Sequence, residues 1–259
     1  MIEDRPEEDG PVAPATRFRE VVIIGGGCYG TFYAGQLARA LDRGRIVADR
    51  IVMVDRDPTC QATREAPHRS PFGLTVMDWG DYLDRLLAAP APVPGDADDA
   101  IVPSPLMPHL MAEWLVRFAT AAFPDHTVAL EPVEAPVGTP YDVLAPDGNR
   151  YVSFADWLCP THCVEPFICP VTQGPRTWEM GDALVDYVRR EGRHRRLVGP
   201  ALFTTRHRAF GVGMFDAAEA RAARGVLEQT VAERAEAQLL VATISSCHGA
   251  TSLLAVRPR

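Results

Sequence analysis

Lysine is missing from this 259-residue chain. Every side chain that stays cationic at pH 7 is therefore an arginine, and chemistry that runs through a Schiff-base lysine or a Walker-type phosphate lysine is excluded. Any apolar run long enough to cross a bilayer is missing too, and the opening MIEDRPEEDG lacks the basic and apolar regions of a signal peptide. We therefore expect a cytoplasmic protein with no membrane association. Positive charge is in deficit, and a formal net charge of -8 opposes binding to nucleic acid or to an anionic membrane. In a reducing compartment, six cysteines point to ligands, redox groups or core filling before structural disulfides.

What is present begins with VVIIGGGCYG at residues 21–30. Val21 to Ile24 form an apolar, β-branched run that reads as a buried parallel strand, and Gly25, Gly27 and Gly30 follow at the spacing G-x-G-x-x-G. Tyr33, Leu37, Ala40 and Leu41 then recur at helical spacing. A second strand, Ile51 to Val54, ends at Asp55 and Arg56. Strand, glycine turn, helix and strand ending in an acid are the order that a dinucleotide site requires. Gly25 allows the tight turn, Gly27 lets a pyrophosphate approach the backbone, and Gly30 lets the helix pack on its strand. The amides around Cys28 and Tyr29 and the helix dipole attract the phosphates. Asp55 would accept from a ribose diol and so favour NAD, Arg56 could bind the 2′-phosphate of NADP, and FAD uses the same turn.

Over residues 20–56 the chain resembles the Rossmann-type NAD(P)-binding proteins, and more loosely a set of uncharacterised bacterial Rossmann-like proteins with a late cysteine cluster. The first resemblance implies cofactor binding; the second brings no activity with it.

The late cluster is CPTHCVEPFICP, in which Cys159, Cys163 and Cys169 are separated by prolines that prevent a regular helix. Such a loop can aim three thiolates at one point. Cys247, His248 or His162 would complete a tetrahedral zinc site, and Cys247 would complete an iron–sulfur site, which prefers four thiolates. The alternative is three reduced cysteines that simply fill space.

Between these motifs, residues 1–17 read as a mobile acidic arm and residues 18–259 as one domain with a Cys-rich loop at 155–175. Helices are expected over 75–87, from Ser104 as cap through Phe118, over 178–190 behind Thr177, and from Asp216 to about Glu236. Strands are expected over 127–130, 151–158 and 239–244. The alternation predicts a Rossmann-like α/β fold: a mostly parallel sheet with helices on both faces, and Cys28, Cys60, Cys159 and Cys247 gathered at its carboxyl edge. The functional expectation is an NAD(P)-dependent oxidoreductase with a thiolate-bound metal. Its alternative is a dinucleotide-responsive regulatory protein with a structural metal and no turnover.

Overall fold

The computed structural model describes residues 15–90, 97–156, 163–193 and 196–259. The chain first lays down β1 (Thr16–Ile24), α1 (Cys28–Asp42), β2 (Ile46–Asp55), the short α2 (Ala62–Glu65), β3 (Phe72–Val76), α3 (Trp79–Ala88) and β4 (Asp98–Val102). Next come α4 (Leu110–Ala122), β5 (His126–Glu131), β6 (Tyr141–Leu144), β7 (Arg150–Ser153) and α5 (Met180–Glu191). The last part contains β8 (Leu197–Thr204), β9 (Arg206–Ala209), β10 (Val212–Asp216), α6 (Ala217–Arg234), β11 (Ala237–Ile244) and β12 (His248–Pro258).

These strands form two sheets, and the expected Rossmann-like, mostly parallel sheet is not what the chain builds. In the first sheet, ordered β3-β2-β1-β4-β10-β9, the first four strands are parallel, while β10 runs antiparallel to β4 and β9 antiparallel to β10. The second sheet is ordered β6-β7-β12-β11-β8, with β5 also paired to β12. Its pairings are antiparallel except β11 with β8. The reason is connection length. A parallel neighbour needs a crossover of a dozen or so residues, whereas β11 and β12 are joined by Ser245-Ser246-Cys247 alone and so return on each other from Ile244↔Gly249 to Ala237↔Val256.

Helices and sheets alternate in layers. One face of the first sheet buries Val21, Ile23, Ile51 and Met53 against Leu37 and Ala34 of α1. Its other face, through Val22, Ile24, Val52 and Val54, packs on α3, α4 and α6, and the far side of those helices meets Phe203, Leu239, Val241 and Leu254 of the second sheet. The outer face of the second sheet is covered by α5 through Met180, Leu184 and Tyr187. The two sheets thus share one central core, and burial of its apolar surface is the main force that holds them together.

Several expected boundaries shift for local reasons. The helix expected from Ser104 begins only at Leu110, because Pro108 disfavours helical geometry at Met107; Ser104 Oγ instead accepts the Leu106 N–H at 3.3 Å. The helix expected behind Thr177 starts at Met180, whose N–H is donated to the Ser246 carbonyl at 2.9 Å. The strand expected over 151–158 is seen as β7, ending at Ser153. Among the described residues, no helix is long and apolar enough to cross a membrane.

Candidate functional site

The glycine turn sits between β1 and α1, and its three motif glycines meet three different physical demands. Gly25 has a φ of +92°, a conformation open to glycine, and donates its N–H to the Val54 carbonyl at 2.9 Å. A Cβ on Gly30 would overlap the Gly25 carbonyl oxygen, so only glycine lets α1 approach the strand this closely. Gly27 is different: it is exposed, and a Cβ there would meet nothing within 4 Å. Open space over Gly27 is where a ligand could approach the backbone. Gly27 is also the N-cap of the 15-residue α1 and makes no side-chain cap, so the first amides of the helix lack intrahelical partners and face outward at its positive end.

Asp55 supports this turn from the end of β2. Its Oδ2 accepts the Gly26 N–H at 2.7 Å and its Oδ1 accepts the Asp57 N–H at 2.9 Å. Arg56 lies with its guanidinium 5.5 Å from the centre of the Trp79 ring, and Trp79 Nε1 donates to the Val54 carbonyl at 3.0 Å. Cys28 is exposed at the first position of α1, while Cys60 is buried beneath Gly26.

Beside the turn is a cavity of about 380 Å³. Tyr29 and Tyr33 of α1 form part of its wall, and Pro103, Ser104 and Pro105, which follow β4, form another. Thr205 and His207 line it from the β8–β9 region, and Ser245, Cys247 and His248 from the β11–β12 turn. Cys163, Glu165 and Cys169 also line it. Burial, with a smaller effect of Tyr29, raises the Tyr33 phenol above its ordinary value, so it faces the cavity as a neutral O–H.

The described part of the Cys-rich loop is a short hairpin. Ile168 bridges to Pro175, the Arg176 N–H is donated to the Phe167 carbonyl at 2.7 Å, and the Cys169 N–H to the Gly174 carbonyl at 2.9 Å. At its tip Cys169 Sγ accepts the Thr172 N–H at 3.5 Å; that bond pulls the thiol below its usual range, because an amide N–H favours the thiolate, and burial opposes it. Cys163 Sγ accepts the Glu165 N–H at 3.4 Å. Cys247 Sγ accepts from Trp178 Nε1 at 3.3 Å, yet burial dominates there and pushes its thiol up to about 11. Burial also lowers the pKa of His248, which favours the neutral ring.

Of the residues expected to bind metal, Cys163, Cys169, Cys247 and His248 therefore share one cavity wall, whereas Cys159 and His162 lie outside the described residues. Among the described residues, no group of three or more His, Cys, Asp or Glu side chains is arranged to hold a metal ion. Cys28 and Cys60 follow the parallel strands β1 and β2 at their carboxyl ends, as expected, but Cys247 sits in an antiparallel hairpin turn of the second sheet, and Cys159 lies outside the described residues.

Two cavity residues escape sequence reasoning. His207 Nδ1 donates to the Gly211 carbonyl at 3.0 Å, which orients the ring. Glu165 links the cysteine loop to the β11–β12 turn by accepting the Cys247 N–H at 3.2 Å. His207 lies in no motif, and Glu165, though inside the late cysteine cluster, makes a contact that joins residues 82 apart in sequence.

Comparison with known protein families matches residues 111–257 to the model AF_1314_C, described as "Uncharacterized protein, C-terminal domain". The match covers more than half of the chain. It starts inside α4 and ends in β12, so it takes in the second sheet and the cysteine side of the cavity but not the glycine turn. No curated protein and no solved structure matches the chain.

Proposed function

We propose that this chain, which belongs to the AF_1314_C C-terminal domain family, is an NAD(P)-dependent oxidoreductase that binds its dinucleotide at the glycine turn and its substrate in the adjoining cavity. The observation that carries this reading is shared architecture: α1, whose N-terminus follows the glycine turn, supplies Tyr29 and Tyr33 to the wall that also holds Cys163, Cys169, Cys247 and His248. A ligand held at Gly27 would thus lie next to a chemically equipped chamber.

The turn meets the physical requirements of a pyrophosphate site. Gly27 leaves its approach clear, and the first amides of α1 provide donors at the positive end of a helix dipole. NAD or NADP supplies hydride transfer when bound, and FAD would fit the same phosphate cradle. His207 is positioned to take up a proton at Nε2, since its Nδ1 is held by Gly211. Cytoplasmic residence suits the chemistry, because thiols remain reduced there.

A thiolate-bound zinc or iron centre is a second reading. It is favoured by one feature, that three sulfurs, those of Cys163, Cys169 and Cys247, line one cavity and each accepts an N–H bond. Metal analysis and an absorption spectrum of anaerobically purified protein test it: stoichiometric zinc or iron supports the centre, and its absence removes it.

The oxidoreductase reading is tested by mixing the protein anaerobically with NADH or NADPH and a panel of acceptors while following nicotinamide absorbance. Acceptor-dependent oxidation supports an enzyme. Tight binding without turnover, accompanied by altered protease sensitivity, would replace it with the regulatory alternative.

A further inference from the structure

Two cavity thiols are tied together by a single residue in an unfavourable conformation. Glu165 donates its backbone N–H to Cys163 Sγ at 3.4 Å and accepts the Cys247 N–H through Oε1 at 3.2 Å. It does so with a φ of 54°, in the left-handed region that side chains disfavour. Cys247 is held on every side: its carbonyl accepts the Phe154 N–H at 2.9 Å, and its Sγ accepts from Trp178, whose ring stacks on Phe154. Cys163 is only half-buried. The result is an accessible thiol and a buried one, both bonded to Glu165 and both lining a chamber of small-molecule size.

We propose that Cys163 and Cys247 form a dithiol–disulfide pair that exchanges with the disulfide of a small thiol entering the cavity. Cys163, as its thiolate, attacks one sulfur of the incoming disulfide; the sulfur–sulfur bond breaks, and the first small thiolate leaves and takes up the proton that Cys163 gave up. Cys247 then attacks the Cys163 sulfur, displacing the second small thiolate, which takes the Cys247 proton. Two protein thiols and one small disulfide become one protein disulfide and two small thiols. The protein loses two electrons and the small disulfide gains them. Cys169 stays outside the pair, because its sulfur is bound within its own hairpin and Glu165 does not link it to Cys247. This inference does not depend on the dinucleotide reading, since the exchange needs no cofactor.

The test is to treat the reduced full-length protein with oxidised glutathione, block free thiols by alkylation and map the linkages by mass spectrometry. The unaltered protein and Cys169→Ser should both form a Cys163–Cys247 bond. Cys247→Ser should stop at a mixed disulfide on Cys163, and Cys163→Ser should form neither product. Glu165→Ala, checked for folding by circular dichroism, should close the internal bond about tenfold more slowly and accumulate the mixed disulfide, as expected when one tether is lost. An internal bond to Cys169 instead, glutathione on Cys28 or Cys169 alone, or a Cys163 that resists both glutathione and alkylation would each overturn the pair. So would closure in Glu165→Ala at the unaltered rate.

Discussion

The Asp55 carboxylate accepts the Gly26 N–H at 2.7 Å, so the acid at the end of β2 holds the glycine turn at the end of β1. An acid in this position was expected to face a ribose; part of its hydrogen-bonding capacity is spent on the turn itself. Asp55→Ala should therefore act on the fold as well as on binding, with a stability loss of about 1–3 kcal/mol from the partly buried amide that loses its acceptor. Asp55→Asn keeps an acceptor oxygen and should lose less. Denaturant titration of the two variants checks the order; equal stability of Asp55→Ala and the unaltered protein would show that the bond does not support the turn.

Gly30 offers a sharper structural test. A Cβ there would overlap the Gly25 oxygen and come within 2.9 Å of its carbonyl carbon, both of them backbone atoms that cannot rotate away. Gly30→Ala should cost about 3 kcal/mol or prevent folding, since overpacking against rigid neighbours forces the main chain to move. A thermal melt measures it.

How much of this was legible in the sequence depended on distance along the chain. β1, α1 and β2 were readable because the glycine spacing, the apolar runs and Asp55 lie within about 35 residues of one another and specify local geometry. The second sheet was not. β12 packs between β11 and the pair β5 and β7, and its segment ATSLLAV offers small and hydroxylated residues without clear alternation, so neither its existence nor its antiparallel register is a local property. The parallel-sheet expectation failed at that point. The cysteine loop was recognised from its thiols and prolines, but the link made by Glu165 was not, because a left-handed φ leaves no mark on residue type and its partner Cys247 is 82 residues away.

Asp99 is completely buried on β4 and accepts from Arg19 Nε at 2.8 Å, with Arg221 of α6 at 3.4 Å on its other oxygen. Arg221 is itself largely buried. Asp99→Ala should destabilise the protein by about 1–3 kcal/mol, because it takes the buried carboxylate from Arg19 and from Arg221, which keeps Asp98 at 3.5 Å. Adding Arg221→Leu should recover part of that loss, and a double-mutant cycle in urea measures the coupling.

Glu131 on β5 carries the clearest pH dependence. Hydrogen bonds from Arg257 first, then from Gln238, hold its carboxyl below the ordinary value, and the Arg257 Nη2 to Oε2 distance is 2.9 Å. A depressed folded pKa means that its contribution is present above the unfolded value and is lost as pH falls through the folded one. Glu131→Gln should thus cost less than about 1 kcal/mol at pH 7, as befits a partly exposed pair. The difference from the unaltered protein should begin to shrink as pH falls to the ordinary glutamate value of about 4.3 and vanish once pH is below the lowered folded value. Stability curves of both proteins across pH 3 to pH 7, an interval set by the reference carboxylate values, check it.

The most direct test of the central claim is calorimetric titration of the unaltered protein and Gly27→Val with NAD, NADP and FAD. A Cβ at Gly27 meets no atom within 4 Å, so the variant should keep its melting temperature while its β-branched group fills the space over the turn. The account predicts saturable binding of at least one dinucleotide to the unaltered protein and at least a hundredfold weaker binding, about 2.7 kcal/mol, to the variant. No binding of any of the three, or equal binding by Gly27→Val, would contradict it.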